Sequence, residues 1–132
     1  MDLESRDKRK KFGLKRLFYS FKYAMEGLLY ALKNEQNMMI HVFMAVFVIV
    51  MGILLQISMM EWLICILLIG LVIGTELMNT FIETVVDLTC PEKNELAKVA
   101  KDTAAATVLV FALTSVVVGV MIFLPKLLEL LK

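Results

Sequence analysis

Charge is absent from three long stretches of this chain. Asp, Glu, Lys and Arg are missing from Gln36 to Met60, from Trp62 to Thr75, and from Thr103 to Pro125. A water-soluble domain of 132 residues does not leave such runs uncharged, and 60% of these residues are hydrophobic, so that class is excluded. Cysteine is scarce. Cys65 falls inside an apolar run and Cys90 in a polar stretch, so no disulfide between them is expected. There is no Cys-x-x-Cys pair, and neither thiol has metal-ligand company. Pro91 and Pro125 are the two prolines; the first breaks a helix between runs and the second is expected to close the last one. A Gly-x-x-x-x-Gly-Lys-Ser/Thr loop and a His-Arg-Asp loop are both missing, which removes the common water-soluble nucleotide-binding folds. No cleavable signal peptide is expected, because the first apolar run starts after residue 35 and no small-residue cleavage site follows it. Internal repeats and low-complexity stretches are also absent.

What is present is membrane-spanning material. A span needs about 20 apolar residues. The first and third runs reach this directly, and the second reaches it if its helix continues through Glu76. The pattern predicts an all-α integral membrane fold, one membrane domain over residues 1–132. Its transmembrane helices are expected near 37–56, 61–87 and 102–124. Nine of the 14 Lys and Arg precede the first span, and Lys93, Lys98 and Lys101 flank the second loop. Three crossings put these 12 on one side, against Lys126 and Lys132 on the other. The positive-inside rule then places the N-terminus and second loop in the cytoplasm of a cell membrane.

Residues 1–11 read as a solvated tail touching acidic headgroups; so short a basic run in a membrane chain does not suit nucleic acid. Over 12–34, Leu14, Leu17, Phe18, Phe21, Met25, Leu28 and Leu32 recur at helical spacing, with Lys15, Tyr19, Lys22, Glu26 and Lys33 opposite. This predicts an amphipathic helix lying in the membrane interface. It either anchors the chain or closes its polar face over a cytoplasmic site. Glu61-Trp62 reads as an interface pair, and Gly70 and Gly74 as a close-packing face. His41, alone in the first span, reads as a packed, hydrogen-bonded residue.

The most informative polar residues end the second run. Taking Glu76 as 0°, a helix turning 100° per residue points Asn79, Glu83 and Asp87 to about −60°, −20° and +20°. All four share one narrow stripe of an apolar helix. An ionised carboxylate at membrane depth costs about 2.5 kcal/mol or more, so such groups face a protein interior or a cavity. Near the same membrane face stand Glu35, Lys101 and Asp102. Clustered carboxylates repel and attract Mg²⁺ or protons, and a poorly solvated carboxylate makes a better base near neutral pH. The residues alone leave three readings open: a phosphoryl-transfer site, a proton or cation conduit, and a helix-pairing surface.

A longer pattern bears on the choice. Glu76-x-x-Asn79-Thr-x-x-Glu83-x-x-Val86-Asp87, followed by Ala100-Lys101-Asp102 and a run of alanines, resembles the prokaryotic diacylglycerol kinase family. Arg16, Gly27-Leu28, Ala31 and Asn34-Glu35 fit the same pattern, so the resemblance covers about residues 16–110. Glu61-Trp62 and Leu-Leu-Ile-Gly at 67–70 are similar to the Gram-positive branch, whose members phosphorylate undecaprenol. The resemblance implies a lipid kinase with three spans and a surface helix. It implies a homotrimer whose active sites are shared between subunits at the cytoplasmic face. Its substrates would be ATP with Mg²⁺ and a membrane lipid alcohol, undecaprenol or, as the alternative, diacylglycerol. By matching position, Glu76 is the implied base and Asn79 helps to position these groups. Glu35 and Glu83 are the implied Mg²⁺ ligands. Arg16, Asp87, Lys101 and Asp102 belong to the implied nucleotide site. Two positions depart from the pattern. Phe81 stands where Ala or Ser is usual, about 140° from Glu76, and His41 stands where the proteobacterial diacylglycerol kinases carry an acid. A small holin-like pore is the reading from another class; charged ends fit it, but the acidic stripe with Lys101-Asp102 does not.

Overall fold

The computed structural model describes residues 13–132. The tail read as touching headgroups, with Arg6, Lys8, Arg9, Lys10 and Lys11, lies outside the described residues, as does residue 12 of the expected surface helix. The described residues form four helices: α1 (Leu14–Asn34), α2 (Gln36–Leu54), α3 (Met59–Thr89) and α4 (Glu95–Leu130). The last three are long and apolar enough to cross a membrane. The architecture is therefore the all-α integral membrane fold with one additional helix ahead of three spans.

In α1, Leu14, Leu17, Phe18 and Phe21 are all at least 66% exposed. None of the described residues covers this stripe, as befits a helix that presents its apolar side to lipid. Glu35 alone separates α1 from α2. Its backbone is extended (φ −106°, ψ 115°), while its N–H still donates to the Ala31 carbonyl. One non-helical residue is thus the joint between surface helix and first span.

The opposite end is tightly built. Ser58 starts α3 with a capping box: the Glu61 N–H donates to Ser58 Oγ at 3.3 Å, and the Ser58 N–H donates to Glu61 Oε2 at 2.6 Å. Such a cap contributes about 1 kcal/mol. The Glu61 carboxylate also meets Lys126 Nζ of α4 at 3.3 Å. Gly52 lies against Trp62, where a Cβ would come within 2.8 Å of the indole ring. Ile57, Cys65 and Ile122 form a small buried cluster beneath, with Val118 and Phe123 packed on it. The close approach in this chain is therefore at Gly52. At Gly70 and Gly74, expected to pack closely, an added Cβ would meet nothing within 4 Å.

Two boundaries of α4 differ from those expected. The helix starts at Glu95, seven residues before 102, because Asn94 Oδ1 accepts the N–H groups of Leu96 and Ala97. The charges at Lys98, Lys101 and Asp102 mark where apolar surroundings begin, and the helix itself begins earlier. It also runs through Pro125 to Leu130. Proline deprives the Met121 carbonyl of its N–H and costs about 3 kcal/mol in a helix interior. The Lys126–Glu61 ion pair ties the turn beyond it to the start of α3.

The 31 residues of α3 span about 46 Å at 1.5 Å per residue, against about 30 Å of hydrocarbon. With the Ser58–Glu61 cap at one boundary, the other falls near residue 79. Glu83 and Asp87 then stand beyond it, beside the first turns of α4, with which α3 makes its most extensive pairing.

Candidate active site

Burial along the acidic stripe is graded. Glu76 is 1% exposed, Asn79 and Thr80 are also buried, Glu83 is half-buried and Asp87 is exposed. Ala31 of α1 and Met38 of α2 are buried at the same end. Threonines tie the helix locally: Thr80 Oγ1 donates to the Glu76 carbonyl at 3.1 Å and Thr84 Oγ1 to the Thr80 carbonyl at 2.7 Å. Hydroxyls bonded back to their own helix can sit in apolar surroundings without seeking other partners.

The carboxylates and amides are not fully satisfied. Asn79 Nδ2 donates to Glu83 Oε1 at 3.2 Å, one turn along. Among the described residues, Glu76 Oε2 and Asn79 Oδ1 are buried without a hydrogen-bond partner. Buried acceptors normally find partners, and an orphan calls for an explanation. His41 Nε2 of α2 approaches Glu76 Oε2 to 4.0 Å, beyond hydrogen-bond range. Glu35 and Glu83 lie close enough for their charges to act on Glu76. The structure therefore brings Glu35, Glu76, Asn79 and Glu83 into one acidic cluster from the α1–α2 joint and α3.

A second pair lies further out. Lys101 Nζ donates to Asp87 Oδ1 at 2.6 Å and also feels the charge of Glu83. Both partners are solvated, so water screens the pair and it adds little to stability. Its significance is the placement of a cation beside the acidic cluster. Asp102 is exposed on the next residue of α4, and Arg16 is exposed near the start of α1. Nineteen residues separate Arg16 from Glu35, about 28 Å along a helix.

This donor set fits Mg²⁺. Orphaned Glu76 Oε2 and Asn79 Oδ1 leave the cluster rich in acceptors and short of donors. Among the described residues no three His, Cys, Asp or Glu side chains converge as a ready cage. Mg²⁺ does not require one, since it takes one or two carboxylates and completes its shell with water and substrate phosphates.

Two residues of the site carry more than sequence reasoning assigned them. His41, read as an ordinary packed histidine, stands beside Glu76. Thr80, not singled out, is buried next to it. For His41 the available signal was that α2 begins right after Glu35, which puts it under two turns into the same helix. Phe81 is 59% exposed, directed away from the cluster as its 140° offset implies.

The comparisons with known proteins agree with one another. The profile of the prokaryotic diacylglycerol kinase family matches residues 22–123. The chain is 43% identical over 125 residues to the undecaprenol kinase of Bacillus subtilis (strain 168), covering 95% of this chain and 100% of that one. It is 43% identical over 116 residues to a diacylglycerol kinase of Synechocystis, covering 87% of this chain and 66% of that one. With the diacylglycerol kinase of Haemophilus influenzae it shares 37% identity over 98 residues, 74% of this chain and 83% of that one.

Proposed function

The chain belongs to the prokaryotic diacylglycerol kinase family and is an ATP-dependent lipid kinase, and we propose that its acceptor is undecaprenol, which it converts to undecaprenyl phosphate. The observation that carries the reading is Glu76. A carboxylate 1% exposed, with one oxygen unpartnered, sits where α3 leaves the apolar layer, as a base must to meet a lipid hydroxyl and a water-borne nucleotide together.

In this reading Glu76 Oε2 takes the proton of the lipid hydroxyl as its oxygen attacks the γ-phosphorus of ATP, and ADP leaves. Asn79 holds the Glu83 carboxylate in place through their 3.2 Å hydrogen bond. Glu35 and Glu83 would hold Mg²⁺, which when bound neutralises phosphate charge. Lys101, steered by Asp87, offers its ammonium to the nucleotide phosphates, with Asp102 and Arg16 completing the nucleotide site. The assembly is a homotrimer with active sites shared between subunits. In such an assembly Arg16, about 28 Å from Glu35 along α1, is the residue that a neighbouring chain would bring to the site. The 12-to-2 distribution of Lys and Arg supports a cytoplasmic site and N-terminus.

Diacylglycerol is the second acceptor to test, since two of the relatives carry that activity in their names. Purified protein with Mg-ATP is offered both lipids in competition, and labelled phosphate is expected on undecaprenol. Preferential label on diacylglycerol overturns the acceptor. Glu76→Gln keeps the size and removes the base, so turnover is expected to fall at least 100-fold with the oligomer intact. Wild-type turnover in that variant sinks the assignment of Glu76.

A further inference from the structure

An apolar cleft of about 500 Å³ opens between α2, α3 and α4, and one end of it reaches His41, beside Glu76. Met44, Met51, Val72, Ile73, Val116 and Phe123 are among its walls. It extends along α4 from Ala112 to Leu127, about 22 Å of helix and most of the depth of the hydrocarbon. A cleft of this volume is ordinary for a ligand. Its polar content is small. Ser115 lines it, but Ser115 Oγ donates to the Phe111 carbonyl at 2.8 Å. Cys65 lies deep in the buried cluster. His41, also on the wall, is the remaining polar side chain, and it stands at the end nearest Glu76.

His41 therefore faces two ways, to the cleft and to Glu76 Oε2. The 4.0 Å between His41 Nε2 and that oxygen is too long for a direct hydrogen bond but accommodates one oxygen atom about 2.8 Å from each. Such an oxygen would receive the N–H of His41 and give its own proton to Glu76. It would also satisfy the acceptor that the chain leaves without a partner.

We propose that the cleft is the acceptor channel: the alcohol oxygen bridges His41 Nε2 and Glu76 Oε2, and its hydrocarbon chain runs down between α2, α3 and α4. The occupant is a long-chain alcohol with a lone hydroxyl, an isoprenol. An acylglycerol head would bring ester carbonyls into a mouth walled by Ile40, Met44, Val72 and Ile73, where none of these described side chains can donate to them. This rests on the lipid-kinase reading and gives His41 the task of orienting the nucleophile. In the transfer, the alcohol O–H bond breaks with its proton going to Glu76, the O–P bond forms, and the bond to the β-phosphate oxygen breaks to release ADP. His41 keeps its proton throughout.

The test uses full-length protein in mixed lipid–detergent micelles with Mg-ATP, an isoprenol of eleven units and one of two units. His41→Leu removes the donor, and kcat/KM for the long isoprenol is expected to fall about tenfold, the scale of one lost hydrogen bond, with KM for ATP unmoved. His41→Gln keeps an N–H and restores part of the loss. Gly119 lines the cleft deep down, and a Cβ there meets nothing within 4 Å. Gly119→Leu therefore pushes a side chain into the channel, and the long-to-short ratio of kcat/KM is expected to fall about tenfold or more, as hydrophobic pockets discriminate. An unchanged ratio, equal losses in the leucine and glutamine variants of His41, or a change of oligomer size in Gly119→Leu overturns the proposal while an active wild type leaves the kinase reading standing. A wild type that phosphorylates diacylglycerol, offered alongside, but neither isoprenol overturns the isoprenol channel and leaves the lipid-kinase reading standing; one that phosphorylates none of the three lipids overturns both.

Discussion

Asn79 shows how a neutral residue matters in an acidic cluster. Its amide nitrogen holds Glu83 Oε1 at 3.2 Å, which fixes one carboxylate in orientation without cancelling its charge. A lysine in its place would neutralise the carboxylate proposed to hold Mg²⁺. Asn79→Ala frees Glu83 to rotate, and apparent Mg²⁺ affinity in the kinase assay is expected to weaken 10- to 100-fold, the usual effect of losing a residue that orients a ligand. A metal titration with an unchanged midpoint would remove Asn79 from that role. The stripe of Glu76, Asn79, Glu83 and Asp87 was legible in the sequence because helical periodicity alone puts the four on one face. His41 was not, because its importance comes from the distance between two helices. No spacing within one helix encodes that distance.

Among the elements, α3 and α4 divide legible from illegible. The apolar cores of both spans followed from uncharged runs, since burial in lipid and lack of charge are one physical condition. Their ends followed other rules. Asn94 starts α4 by accepting two backbone N–H groups, and the helix continues past Pro125 into a turn that the Lys126–Glu61 ion pair ties to α3. Glycines divide likewise. Gly52 is close to a rigid ring, with Trp62 at 2.8 Å from a would-be Cβ. Gly52→Ala therefore overpacks that contact and is expected to cost about 1–3 kcal/mol, read as a lower Tm in a thermal melt in detergent. Gly70→Ala meets nothing in its own chain, and its Tm is expected to move by no more than about 0.5 kcal/mol equivalent. A large destabilisation at Gly70 would instead locate a contact with a neighbouring subunit.

At the scale of the whole molecule, the proposed homotrimer raises the question of which chain supplies Arg16 to a site. Glu35, Glu76, Asn79, Glu83, Asp87 and Lys101 converge within a single subunit, whereas Arg16 lies about 28 Å from Glu35 along α1. If active sites are shared, Arg16 and Glu76 of one site come from different chains. Arg16→Ala and Glu76→Gln are then each inactive alone but complementary when co-assembled. In a one-to-one mixture, a site needs its Glu76 from one type of chain and its Arg16 from the other. Random assembly into closed rings leaves about a quarter of sites complete. Co-expressed variants purified as one oligomer are therefore expected to recover about a quarter of wild-type turnover, while separately purified variants mixed without exchange recover none. If co-assembled variants stay as inactive as either alone, Arg16 serves its own chain, and α1 must then bend back over the acidic cluster during turnover.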